Sequence, residues 1–269
     1  MKAFQLLRLN RIINSKGWSA STFSPFYQMD PVMLITKVID QLDNENQIDL
    51  YFSLLEEFLV IRDYKRPALE LLTKVIEEYS GATEFLFSEV VDETDDTKSA
   101  AVLNYECKSA ANIFNSSQAL YFLSDPKAAQ FQTSTGVKVF VDDFIGTGDQ
   151  FCDMVKSLDD NGFNSSADAV MCIAIQRKAF ERLETLGYKV FALYVRERVL
   201  HQLSQRADIK FDPYATNFDI ADKIPVHALQ ALGYENSEAL VAMKRTPDNT
   251  LPIFTKNGEK TGWHAIFPR

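Results

Sequence analysis

The chain has 269 residues, of which 46% are hydrophobic and 24% charged, so it can build a full globular core and is not a disordered polymer. Its net charge of −9 excludes broad, sequence-independent binding to nucleic acid, which depends on clustered Lys and Arg. The longest apolar runs, such as residues 169–175, are far too short to span a bilayer, which excludes a membrane protein of the helical kind.

The first 28 residues hold Lys2, Arg8, Arg11 and Lys16 but no acid; the first is Asp30. An organelle transit peptide and a basic patch for a partner share that signature, but a short amphipathic helix on the surface accounts for it more simply. Residues 31–80 read as helical. Tyr51, Leu54, Leu55, Phe58 and Ile61 recur at helix spacing, as do Ala68, Leu72, Val75, Ile76 and Tyr79. Pro67 suits a first helical turn and Gly81 a cap. These are packing stripes, and they define a first domain, residues 1–80, as a helical segment packed on the core.

From Thr83 the period changes. TEFLFSEV (83–90) reads as a strand, followed by the acidic loop DETDD and a helix in TKSAAVLNYECKSA. VKVFV (137–141) is a second strand, and residues 149–162 form a helix with Phe151, Val155 and Leu158 on one face. ADAVMCIAI (167–175) is a near-continuous apolar run, as expected of a strand buried on both faces. A short helix in RKAFERLETLG and a strand in YKVFALYV follow. Strands alternating with short helices predict an α/β domain, residues 81–269, with a mostly parallel sheet and helices on both faces. Beyond Arg196 the pattern weakens: residues 208–225 read as loop, 226–233 and 237–245 as short helices, and the tail as a cover over the sheet edge or a small hood.

Cys107, Cys152 and Cys172 are isolated, with neither a disulfide nor a zinc spacing, and read as core residues in a reducing, cytoplasmic setting. His201, His227 and His264 show no ligand spacing, and no residue is assigned as a metal ligand.

The chemistry is concentrated in VFVDDFIGTGDQF, residues 139–151. Two adjacent acids at the end of a buried strand repel each other and lose hydration, so the arrangement asks for a compensating role. No Lys follows Gly148, which rules out a Walker loop. Phe151 stands where a dinucleotide fingerprint needs its third small residue. Phe144 and Ile145 fill the places where an aspartyl-phosphate enzyme would carry a second acid.

The order of strand, two acids, two apolar residues, a small residue, Thr-Gly and helix resembles the ribose-phosphate motif of type I phosphoribosyltransferases. The resemblance implies that Asp142 and Asp143 contact the ribose hydroxyls of phosphoribosyl pyrophosphate (PRPP). The bend Gly146-Thr147-Gly148-Asp149-Gln150 would wrap its 5′-phosphate. Carboxylates accept hydrogen bonds from a vicinal diol, and successive amides at a helix start form an anion nest. Gly146 stands where the family often has Thr and Gln150 where Thr or Ser closes the loop, while Asp149 adds a negative charge. The resemblance also implies Mg2+ bound with PRPP, and a pyrophosphate contact from Lys98 or Ser99. Asp92, Glu93, Asp95 and Asp96 would help hold the cation or, more simply, form an exposed acidic loop.

Together with LGYENSEALVAMKRTPDNTLPIF and the terminal FPR, the motif is similar to the phosphoribosyltransferase-like effector (PRTase-CE) family of bacterial conflict systems, described alongside anti-phage and retron loci. That likeness covers residues 81–269. It implies a transferase effector of unsettled acceptor, working with a partner protein or nucleoprotein of a defence complex. The alternative is an inactive nucleotide sensor or structural subunit of such a complex.

Overall fold

The computed structural model describes residues 1–23, 30–91, 99–114, 118–158, 168–224, 230–258 and 261–268. The chain forms two compact units, Met1–Arg62 with Glu197–Arg269, and Asp63–Arg196.

The first unit begins with α1 (Ala3–Lys16), α2 (Ala20–Phe23), α3 (Pro31–Ile39) and α4 (Glu45–Glu57). The basic start is a helix that buries Gln5, Leu9, Ile12 and Ile13, and Arg8 bonds both carboxylate oxygens of Glu56 on α4. Asp30 caps α3 by accepting from the amides of Val32 and Met33, with Pro31 at the first helical position. After α4 comes a short strand, β1 (Leu59–Val60).

The second unit opens with α5 (Lys65–Glu78) and β2 (Glu84–Glu89), followed by α6 (Ser99–Ala111) and β3 (Ala119–Leu123). Next come α7 (Ala129–Thr133), β4 (Val137–Ile145), α8 (Asp149–Ser157) and β5 (Ala169–Gln176), then α9 (Arg177–Thr185) and β6 (Lys189–Arg196). The five strands form one fully parallel sheet in the order β3-β2-β4-β5-β6. The expected α/β architecture is therefore present, with one strand more than the sequence pattern suggests. β3 is a short edge strand of partly exposed residues, so it carries neither an apolar run nor a clean alternation.

Phe140 and Val170 pack on one face with Phe131 of α7, Phe151 and Met154 of α8, and Ala179 and Leu183 of α9. Strand alternation turns Val139, Val141 and Met171 to the other face, which α5 and α6 cover. Asn104 of α6 donates to Glu89 of β2 and to the Leu123 carbonyl of β3, fastening that helix to both strands. The chain winds toward β3 from β2 and toward β6 from β4, so the strand order reverses between β2 and β4. Open α/β sheets bind ligands at the carboxyl ends beside such a reversal.

The remainder of the first unit comprises α10 (Val199–Ser204), α11 (Pro213–Ala221) and β6's successor, β7 (Val241–Ala242), which pairs in parallel with β1. α11 lies where a loop was expected: Asp212 caps it through the amides of Tyr214 and Ala215, and Pro213 starts it. Residues 237–245, expected as a helix, are partly extended because β1 supplies a ladder for them. The helix expected at 226–233 falls mostly outside the described residues. The tail packs inside this unit, with Phe254 stacked on Tyr51 and Phe267 on Phe58. The compact units thus differ from the division expected at residues 80/81. The sequence pattern does not reveal that chain after Glu197 completes the core begun by the N-terminal helices, nor that α5 belongs with the sheet.

Candidate functional site

β4 is buried along nearly its whole length and extends through the acids to Ile145. Asp142 and Asp143 are both buried, and each has its own set of partners. Asp142 Oδ1 accepts from the backbone amide of Asp143 at 2.8 Å. Burial, and then the charge of Asp143, push the Asp142 carboxyl well above the ordinary carboxylate range, against the pull of that amide. Asp143 is served by two hydroxyls. Tyr64, at the start of α5, donates to Oδ2 at 2.5 Å, and Ser99, the first residue of α6, donates to Oδ1 at 2.8 Å. Asp142 is thus the member of the pair inclined to hold a proton.

The bend follows at once. Gly148 has φ +81°, a left-handed conformation that L side chains rarely adopt, and it caps the start of α8. The first-turn amides of α8 are thereby directed out of the helix end. Thr147 is buried and donates its hydroxyl to Asp149 Oδ2 at 2.6 Å. Arg182, from α9, donates through Nη1 to Asp149 Oδ1 at 2.5 Å and to the Thr147 carbonyl at 3.1 Å. The Thr147 hydroxyl first, and then Arg182, hold the Asp149 carboxyl below its usual range. Gly146 is half-buried and Gln150 exposed.

The structure therefore brings Asp142, Asp143 and Ser99 together, and places the bend directly after them. Lys98 and the acids at 92–96 lie outside the described residues. Among the described residues, no group of three His, Cys, Asp or Glu could hold a metal ion, and no helix is long and apolar enough to cross a membrane. His201 and His264 are exposed in the first unit. The three cysteines are free and buried.

Sequence reasoning missed Tyr64 and Arg182. Tyr64 sits in the unpatterned stretch DYKRP, and its contact spans 79 residues. Arg182 lies in a helix rich in charge, and only the fold selects it from its neighbours.

A model of the PRTase-CE family matches residues 35–269. The chain belongs to the PRTase-CE family. The match begins well before residue 81, so it takes in the second half of α3 and all of α4 as well as the sheet. Among solved structures, this PRTase-CE chain is similar to hypoxanthine-guanine phosphoribosyltransferase from Schistosoma mansoni, solved with IMP. The identity is 15%, the TM-score 0.34, and the likeness covers 51% of this chain and 66% of the other, just under two thirds. It is also similar to orotate phosphoribosyltransferase from Aeropyrum pernix, at 16% identity and TM-score 0.31, over 52% of this chain and 75% of that one. The orotate phosphoribosyltransferase of Mycobacterium tuberculosis, in complex with PRPP, is 10% identical at TM-score 0.31, over 70% and 95%. No curated protein matches the chain.

Proposed function

We propose that this PRTase-CE protein binds PRPP, or a related ribose 5-phosphate ligand, at the carboxyl end of β4 and transfers the phosphoribosyl group. One observation carries the reading: a pair of buried acids leads within one short bend, through a left-handed Gly148, into the N-terminus of α8. Hydroxyl-accepting carboxylates and an anion-accepting helix end are the two halves of a sugar-phosphate site.

Asp143 uses one lone pair on each oxygen for Tyr64 and Ser99, and a carboxylate offers about four acceptor sites, so capacity remains for a ribose diol. Asp142 and Asp143 would steady the ribose while positive charge develops at C1, and nearby carboxylates favour that charge. The bond from C1 to pyrophosphate breaks with its electron pair leaving on pyrophosphate. The acceptor, a nucleobase, nucleotide or protein group, bonds to C1 and releases its proton to solvent. Ser99, at the start of α6, is the described candidate for contact with pyrophosphate, and Lys98 its neighbour in sequence. The oxygen donors Asp142 and Asp143 suit Mg2+, which keeps several waters and is held chiefly by substrate phosphates and one or two carboxylates. When bound, it would neutralise charge on the leaving pyrophosphate.

Resemblance to the effectors of bacterial conflict systems supports a setting in anti-phage defence, including retron-type loci, with a partner protein or nucleoprotein as regulator. A second reading, a nucleotide sensor without turnover, draws on two observations. Gln150 is exposed where a loop-closing hydroxyl is expected, and the Thr147 hydroxyl is already engaged by Asp149. Labelled PRPP incubated with purified protein and cell extract, beside Asp142→Asn/Asp143→Asn, separates them. Pyrophosphate release that needs both acids supports the transferase. Retention of PRPP without release supports the sensor, and the absence of both binding and release overturns both readings.

A further inference from the structure

The bend already holds an anion of its own. Asp149 stands at the first position of α8, and each of its carboxylate oxygens has a donor: Thr147 Oγ1 at 2.6 Å on one, Arg182 Nη1 at 2.5 Å on the other. The amide of Asp149 returns a bond to Thr147 Oγ1 at 3.3 Å. A carboxylate in this place takes up the side-chain donor that an external phosphate would need, and it repels that phosphate at the same time.

Arg182 is placed to reverse the balance. Its Nη1 also bonds the Thr147 carbonyl, at 3.1 Å, so the guanidinium is anchored on the bend itself. Among the described residues, Nε and Nη2 have no hydrogen-bond partner, and a guanidinium presents its N–H groups as a rigid fork suited to phosphate. Lys178, one turn earlier on α9, adds positive charge to the same surroundings. Arg182 and Asp149 are each about a third exposed, so their ion pair is cheap to open, and a dianionic phosphate competes for the guanidinium with twice the charge of a carboxylate.

Resting on the ribose-phosphate reading of this site, we infer that Asp149 is a resident anion that a ligand phosphate displaces, and that Arg182 is the cation the phosphate then inherits. Affinity for the 5′-phosphate is therefore set by a pair of residues outside the Thr-Gly motif, one of them on another helix. A ligand without the phosphate gains nothing from displacing Asp149.

The test is calorimetric titration of the full chain with ribose 5-phosphate and with ribose, at fixed ionic strength. The variants are Asp149→Asn, Arg182→Ala and Arg182→Lys. Asp149→Asn removes the competing charge and tightens ribose 5-phosphate by about fivefold or more. Arg182→Ala weakens it by about tenfold. Arg182→Lys, which keeps the charge and loses the fork, falls between wild type and Arg182→Ala. Ribose binding follows none of these changes. If the wild type binds ribose 5-phosphate and all variants match it, the inference is overturned and the ribose-phosphate reading stands. If neither the wild type nor Asp149→Asn binds ribose 5-phosphate, both are overturned. Should Arg182→Ala fail to fold, the direction of the Asp149→Asn change decides the matter alone.

Discussion

The phenolic hydroxyl of Tyr64 donates to Oδ2 of Asp143 at 2.5 Å, joining residues 79 positions apart in the buried end of β4. Tyr64 is fully buried, so neither partner can turn to water when the other is removed. Tyr64→Phe leaves the buried Asp143 carboxyl with one donor fewer and costs about 1–3 kcal/mol. The change should appear as faster hydrogen exchange at the β4 amides, since both tryptophans, Trp18 and Trp263, lie in the other unit and do not report on it. Unchanged exchange at β4 would mean that the hydroxyl contributes no net stability.

Asp142 gives the opposite sign. Its carboxyl is raised by burial and by Asp143, so the folded state binds a proton that the unfolded chain has released. A carboxyl raised in the fold contributes its stability below the unfolded value and loses it as pH rises through the folded one. Wild-type stability should therefore fall as pH climbs above the ordinary carboxylate range. Asp142→Asn should flatten that decline and stabilise the unliganded protein near neutral pH by about 1 kcal/mol or more, while impairing ligand binding. Urea titrations across pH, followed by hydrogen exchange in the sheet, measure both effects. A steeper decline in the variant would contradict the assignment.

Gly148 tests the bend. A Cβ there would meet Ala179 Cβ at 3.6 Å, an ordinary contact, so the obstacle is backbone conformation rather than space. Gly148→Ala should cost about 1–2 kcal/mol, the penalty for a left-handed L residue. Loss confined to the Asp149 and Gln150 amides, seen by exchange, would locate it at the start of α8.

Trp263 tests the packing of the tail. It is buried, sits edge-on to Tyr51 at 6.4 Å and donates its indole N–H to the Ile253 carbonyl at 3.0 Å. Trp263→Ala should destabilise the first unit by about 3–5 kcal/mol. Fluorescence of the remaining Trp18, which meets Phe267 edge-on, follows that unfolding directly. A tail that only draped the surface would leave the Trp18 transition where it was.

The sheet was largely legible because its strands are written as apolar runs, and β5 in particular has no polar residue before Gln176. The acids and the bend were legible because strand, acid pair and Thr-Gly are local in sequence. What was hidden depends on distance along the chain. β1 is two residues long and means nothing until β7, some way past the sheet, pairs with it. Asp149 read as a bare repulsion because Arg182, which neutralises it, lies 33 residues on. Tyr64 carried no pattern at all, since its importance consists of one hydroxyl reaching one carboxylate. Ser99 could be named as a candidate only by analogy, and its bond to Asp143 is a tertiary fact.

The most direct measurement is calorimetric titration of the purified protein with PRPP in the presence of Mg2+, for the wild type and for Asp142→Asn/Asp143→Asn, with both forms first checked for folding. Saturable binding to the wild type is expected, with a loss of at least about tenfold in the double variant, since both carboxyl partners of the ribose hydroxyls are replaced by amides. Binding of equal strength in both, or absence of binding to a folded wild type, would contradict the ribose-phosphate reading.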